Sequence, residues 1–227
     1  MSDERPVTLA EAYALQTPED SRRLYARWAA TYESEFVARN QYVIPDRVAA
    51  VFAEVGRAVA GGVKGPVLDV GCGTGLVAVA LVRDAAGEGV DWEIDGVDIS
   101  PEMLAVAATK SRPDGRPLYR HLIEADLAGP VDIADGSYAG VLSSGTFTHG
   151  HLGPAALSAL IRFGRPGAVF AIGINAEHFA AMGFADQLAE ESAAGTITDL
   201  DSRIVDMYLP GSEHDGATAV VAVFRRT

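Results

Sequence analysis

The stretch Val67-Leu68-Asp69-Val70-Gly71-Cys72-Gly73-Thr74-Gly75 constrains this chain more than any other. An apolar run of strand character enters three glycines at alternate positions. There the backbone bends sharply without Cβ clashes and leaves room for a ligand against the main chain. Leu76 to Val82 resume an apolar run of helical length. The glycines therefore lie between a strand end and a helix start, where unpaired N–H groups and the positive end of the helix dipole point outward. That is the outline of a nucleotide-type ligand site, and equally of a tight strand-to-helix connection.

Two later stretches separate these readings. Gly96-Val97-Asp98-Ile99-Ser100 ends a second strand in an acid about 25 residues past the glycines, near the offset at which a carboxylate meets a ribose hydroxyl in doubly wound folds. Leu122-Ile123-Glu124-Ala125-Asp126-Leu127 closes a third apolar run on another acid.

The 227 residues suffice for one sizeable α/β domain, and 48% hydrophobic against 22% charged residues argues against extensive disorder. The expected organisation is a single domain, 1–227, with capping or lid helices over 1–62 and a ligand-binding core over 63–227. A net charge of −13 repels phosphodiester backbones, so nucleic acid is not the expected partner. The one cysteine, Cys72, excludes a disulfide framework or a cysteine zinc cluster. No apolar run reaches the roughly 20 residues needed to span a bilayer, and Met1-Ser2-Asp3-Glu4-Arg5 opens no secretory leader. A cytoplasmic location and no membrane partner are expected; oligomeric state is open.

Along the chain, residues 1 to about 18 read as a loosely attached lead-in, with Thr17 able to cap a helix that has Pro18 in its first turn. Tyr25, Trp28, Tyr32 and Phe36 share one face of a helix over Ser21–Phe36, either packing on the core or forming a lid. A second helix spans Pro45 to Val63, stopped by Gly61-Gly62. After the glycine turn comes a helix over Leu76 to Arg83, then a loop marked by Gly87 and Gly89, and Ser100-Pro101-Glu102 is a strong helix entry. Strands follow over Tyr119–Leu127 and Tyr138–Ser143, a helix over Pro154–Phe163, a strand over Ala168–Ile174 and a long helix over Ala176–Ala194. A terminal strand pair, Ser202–Leu209 and Ala217–Arg226, ends the chain.

The order Asp-x-Gly-x-Gly-x-Gly, Gly-Val-Asp-x-Ser-Pro-x-Met-Leu, Glu-Ala-Asp-Leu resembles the class I S-adenosylmethionine-dependent methyltransferases over about residues 22 to 227. The resemblance implies a Rossmann-like three-layer sandwich with a seven-stranded, mostly parallel sheet, one antiparallel edge strand and N-terminal cap helices. It also implies S-adenosylmethionine as cofactor and in-line methyl transfer to a small molecule. By the same resemblance Gly71 and Gly73 face the amino-acid end of the cofactor and Asp69 its ammonium. Asp98 takes the ribose hydroxyls, Ile99 and Met103 pack the adenine, and Asp126 with the Leu127 amide meets the adenine edge. Cys72, Gly75 and Ser143 complete the expected cofactor contacts, with Tyr25, Trp28 and Tyr32 closing over the methionine part. A sulfonium beside aromatic faces gains about 0.5–2 kcal/mol.

A base is needed only if the acceptor must lose a proton. The segment Leu142 to Leu152 follows the fourth strand, where ligands of open α/β sheets lie, and carries two of five histidines. His149, with Tyr25, is the expected catalytic pair; a role in capping the next helix or lining the pocket stays open for His149 and His151. No third ligand accompanies them, so no metal is expected. The run Ser-Ser-Gly-Thr-Phe-Thr-His-Gly-His-Leu is similar to the branch of Williams-Beuren syndrome region methyltransferase-like proteins and names no acceptor. Two other functions remain: a non-catalytic module that binds the cofactor, and a nicotinamide-dependent oxidoreductase. The latter is disfavoured because Gly71-x-Gly73-x-Gly75 lacks a third glycine spaced two residues beyond a Gly-x-Gly pair.

Overall fold

In the computed structural model, residues 7–85 and 90–227 are described. The loop expected at Gly87 and Gly89, apart from its last residues, and the extreme N-terminus lie outside them. Seven strands form one sheet: β1 (Val67–Val70), β2 (Ile94–Asp98), β3 (His121–Glu124), β4 (Tyr138–Phe147), β5 (Gly164–Asn175), β6 (Ile197–Asp206) and β7 (Thr218–Arg226). Their order is β3-β2-β1-β4-β5-β7-β6. The first five pair in parallel, while β7 runs antiparallel to both β5 and β6. The expected seven-stranded, mostly parallel sheet is therefore present, with the reversed strand β7 second from the edge, inside β6. β1 is buried along its whole length, Asp69 included, as a central parallel strand covered on both faces requires.

Helices cover both faces. Below one face pack α3 (Ile44–Ala58), α4 (Leu76–Asp84) and α5 (Pro101–Ala108), with Val48, Phe52, Ala78, Leu81 and Met103 in the core. The other face is covered by α6 (Pro154–Ile161) and α8 (Phe184–Ala193), which bury Leu157, Leu160, Phe184 and Leu188 against Phe170 and Phe224. Phe52 lies directly on Gly140 of β4, where a Cβ would overlap its ring. So α3, expected in the capping segment, is a layer of the core.

The lid is confined to residues before Gln41. It comprises α1 (Leu9–Tyr13), α2 (Pro18–Trp28) and a π-helical segment, Tyr32–Ala38. α1 and α2 each begin with a capping box, Thr8 with Glu11 and Thr17 with Asp20. The lead-in expected to be loose is thus ordered from Leu9, and Ala12 is buried. The single helix expected over Ser21–Phe36 is broken after Trp28. Aromatics spaced by four drift around an α-helix of 3.6 residues per turn; the wider π turn returns Tyr32 and Phe36 to a stack at 5.5 Å.

Other boundaries move for local reasons. α3 ends at Ala58 because Val59 is extended. Gly183, at φ 79°, splits the long helix into α7 (Ala176–Met182) and α8. β4 continues past Ser143 through a register shift ending at Phe147, and β5 begins at Gly164, before the expected turn.

Candidate functional site

A cleft of about 290 Å³ opens over the carboxyl ends of β1, β2 and β4, the usual ligand position in an open α/β sheet. Its floor is the glycine turn. Gly71 (φ 63°) and Gly73 (φ 51°) are left-handed, a conformation that side-chain-bearing residues adopt only with strain. They differ in surroundings. A Cβ on Gly71 would overlap Thr146 Oγ1, which donates to the Val70 carbonyl at 3.1 Å; a Cβ on Gly73 would meet nothing within 4 Å. Gly75 lines no part of the cleft and instead packs on the Tyr119 ring, 3.0 Å from where its Cβ would stand.

Asp98, at the tip of β2, is 8% exposed and lines the cleft. Its Oδ2 accepts from the Gly73 N–H at 2.8 Å and its Oδ1 from the Ser100 N–H at 2.9 Å. Burial raises the carboxyl above its ordinary range, and these backbone donors pull it back. The side chain therefore ties the glycine turn to the start of α5, where the Ser100 hydroxyl caps Met103 N–H at 3.2 Å.

Asp69 lies beneath the floor, fully buried. Oδ2 accepts from the Tyr119 hydroxyl at 2.7 Å, while Oδ1 is buried with no hydrogen-bond partner. Desolvation pushes this carboxyl up to about 7, against the lowering effect of the Tyr119 hydrogen bond. Tyr119 approaches Asp69 from 50 residues away, and nothing in its own stretch of sequence marks it.

Ile99, Met103, Asp126 and Leu127 close the next side of the cleft. Asp126 Oδ1 accepts from the Ala128 N–H at 2.9 Å. The roof comes from the lid: Tyr25 and Tyr32, with Gln16, Thr17 and Pro18 at the start of α2. Of the expected site residues, Tyr25, Tyr32, Gly71, Cys72, Gly73, Asp98, Ile99, Met103, Asp126 and Leu127 meet in this one cavity.

The others do not. Trp28, 2% exposed, is set behind the cleft, its ring edge-on to Tyr32 and Phe36. Ser143 is buried and donates to the Val70 carbonyl at 2.8 Å, joining β4 to β1. His149 turns away: its ring packs on Tyr13 and His178, and Nε2 is 3.9 Å from Glu177. The histidine at the cleft is His151. Residues 142–152 do not run as a regular strand: Gly145 (φ 76°) and Gly150 (φ 74°) are left-handed, and Gly150, between the two histidines, breaks the alternation that would put both on one side.

His151 Nδ1 is 2.8 Å from the His149 carbonyl, which only accepts, so Nδ1 carries the hydrogen. Nε2 then accepts from the Tyr25 hydroxyl at 2.8 Å. Burial lowers the His151 pKa, favouring the neutral ring. Among the described residues no group of histidine, cysteine and acidic side chains is placed to hold a metal.

Residues 67–167 match the family model described as a methyltransferase domain. This stretch is a methyltransferase-domain match. It contains the glycine turn, Asp98, Asp126 and both histidines of the β4 segment. No curated protein matches the chain in sequence. Among solved structures, a magnesium protoporphyrin IX methyltransferase from Synechocystis with bound S-adenosylmethionine superimposes with a TM-score of 0.63 at 17% identity, over 94% of this chain and 99% of that one. A methyltransferase dependent on the same cofactor from Aquifex aeolicus gives 0.57 at 17%, over 88% and 97%. The [4+2]-cyclase SpnF gives 0.64 at 17%, over 94% and 97%. At such identities the likeness is one of fold.

S-adenosylmethionine is the cofactor that a methyltransferase domain on this fold implies, and the cleft fits it. The unpartnered Asp69 Oδ1 lies under a glycine turn with open space at Gly73. Among the described residues the lining includes Asp98 and Asp126 but no lysine or arginine, which suits a sulfonium and an ammonium better than a pyrophosphate.

Proposed function

We propose that this chain transfers the methyl group of S-adenosylmethionine to a small molecule. The observation that carries the reading is the convergence of Gly71, Gly73, Asp98 and Asp126 in one cleft roofed by Tyr25 and Tyr32, with no lysine or arginine in its lining among the described residues. In it Asp98 accepts from the ribose hydroxyls on lone pairs not used by Gly73 and Ser100, Asp126 and the Leu127 amide meet the adenine edge, and Ile99 and Met103 pack its face. Asp69 provides the counter-charge for the ammonium. The sulfonium carbon is already activated, so these residues work by positioning, which in favourable cases supplies about 7–11 kcal/mol.

The similarity of the β4 segment to Williams-Beuren syndrome region methyltransferase-like proteins belongs to this reading and leaves the acceptor open. So does a cytoplasmic setting: the lone Cys72 is buried, and among the described residues no helix is long and apolar enough to cross a membrane.

Calorimetry with S-adenosylmethionine and NAD, followed by detection of S-adenosylhomocysteine with a metabolite panel, tests the proposal. Binding of S-adenosylmethionine with turnover is expected. Binding of NAD alone would reverse it in favour of an oxidoreductase, and cofactor binding without turnover of any metabolite would leave a non-catalytic module.

A further inference from the structure

Behind the cleft lies a smaller chamber of about 50 Å³. Tyr25, Tyr32, Tyr42, Gly145 and His151 line both spaces and form the partition. Trp28, Phe36, Phe147 and Tyr208 supply other walls, and among the described residues no aspartate, glutamate, lysine or arginine lines the chamber. A charged group entering it would lose its water without gaining a counter-ion. A flat ring would instead find edge-to-face partners on several sides. At about 10–15 Å³ for each water-sized group, the space holds roughly four such groups, enough for the reacting edge of a ring. Polar groups of its walls are poorly used: Asn175 Nδ2 donates to the Met207 sulfur at 3.6 Å, a weak acceptor that a ligand oxygen would displace, and Trp28 Nε1 is buried with no hydrogen-bond partner among the described residues.

Resting on the methyl-transfer reading, we propose that this chamber takes the reacting edge of an uncharged aromatic hydroxyl compound and that Tyr25 and His151 relay the proton it loses. The His149 carbonyl fixes the His151 hydrogen on Nδ1, so the Nε2 lone pair already holds the Tyr25 hydroxyl proton. When the acceptor oxygen attacks the methyl carbon, the oxygen–carbon bond forms and the carbon–sulfur bond breaks, its electron pair returning to sulfur. The acceptor proton passes to Tyr25 Oη as the Tyr25 proton passes to His151 Nε2. One proton ends on His151, and the positive charge formerly on sulfur ends there with it. Tyr25 and the neighbouring His178 bear on His151, and Asp98, which lines the same cleft, bears on Tyr25.

The test incubates the full chain and S-adenosylmethionine with phenol, catechol and 2-naphthol, and separately with 4-hydroxybenzoate and tyramine. Methylated product is read by mass spectrometry and cofactor Kd independently by calorimetry. Turnover of the neutral compounds is expected, with Tyr25→Phe and His151→Asn lowering kcat by about 10²-fold or more while cofactor binding persists. The wild-type rate should fall on acidification as His151 takes up a proton, and that limb should vanish in His151→Asn. Ala219→Leu, which narrows the chamber from β7 without touching the cofactor cleft, should raise the acceptor KM and spare the cofactor Kd. Turnover restricted to the charged compounds, or unchanged kcat in both relay variants, would overturn the proposal. Cofactor binding with no turnover of any neutral hydroxyl compound would do so too, while leaving the cofactor assignment standing. Absence of cofactor binding would remove the underlying reading first.

Discussion

Tyr119 donates its hydroxyl to Asp69 Oδ2 at 2.7 Å and leaves Oδ1 buried without a partner. The carboxyl, pushed up to about 7 by burial, holds its proton in the folded chain at a pH where the unfolded chain has released it. Between the ordinary carboxylate range and pH 7 the native state thus binds more protons than the unfolded state, and stability falls as pH rises through that window. An ammonium brought beside Oδ1 reverses the preference. Cofactor binding near pH 6 should therefore release a proton, seen as a dependence of calorimetric enthalpy on buffer ionisation heat. Affinity should rise toward pH 7, and Asp69→Asn should weaken binding and flatten both effects. A proton release that persists in Asp69→Asn would place the titration elsewhere, Asp98 being the other buried acid in the site.

Asp98 makes a second, independent prediction, because its carboxylate is a structural acceptor as well as a ligand contact. Asp98→Ala leaves the Gly73 and Ser100 N–H groups unpaired, each lost charged hydrogen bond being worth about 1.5–3 kcal/mol. Cofactor Kd should rise at least about fivefold and the urea midpoint should fall in the same variant. A lower midpoint with unchanged Kd would keep the turn-bracing role and eliminate the ribose contact.

Gly71 and Gly73 of the turn should not respond alike. Gly73→Ala meets only the strain of a left-handed backbone, about 1–2 kcal/mol, since its Cβ would have no neighbour within 4 Å among the described residues. Gly71→Ala carries that strain and a clash with Thr146, so it should destabilise more, with Thr146→Ala recovering part of the loss. Urea melts of the two single variants and the double variant check the order. Equal destabilisation at both positions would contradict the packing described for Gly71.

What the sequence made legible was local. The strand–glycine–helix turn, the Ser100 cap and the acids at the ends of β2 and β3 follow from residue chemistry within a few positions, and they delimit the cofactor side of the cleft. The acceptor side depended on backbone path. Whether His149 or His151 faces inward is decided by the irregular stretch Ser144–Gly150, where left-handed glycines break alternation. Tyr25 and Trp28 share a helix face on paper, yet only Tyr25 reaches the cleft, because Trp28 is packed among Tyr32 and Phe36 by the π-helical turn. Tyr119 under Asp69 and Thr146 against Gly71 are long-range contacts with no signal in their own neighbourhoods.

The start of α2 offers a test of whether the lid is held by its cap. Asp20 accepts from the Thr17 N–H at 3.1 Å and from the Thr17 hydroxyl at 2.6 Å, and that hydroxyl lowers the Asp20 pKa. Gln16, Thr17 and Pro18 line the cleft, whereas Asp20 does not. Asp20→Ala therefore breaks the capping box without removing a lining residue, and the first turn of α2 should open more often. Cofactor affinity should drop several-fold, with faster hydrogen exchange confined to Ser21–Leu24 and little change in the global unfolding midpoint. Because the folded Asp20 pKa is depressed, the cap is complete above the ordinary carboxylate range and weakens only as pH falls through the lowered value. The difference in affinity between wild type and Asp20→Ala should accordingly be constant from pH 6 to 8 and shrink in acid. A variant that binds like wild type at neutral pH would show that the lid is held by its aromatic packing alone.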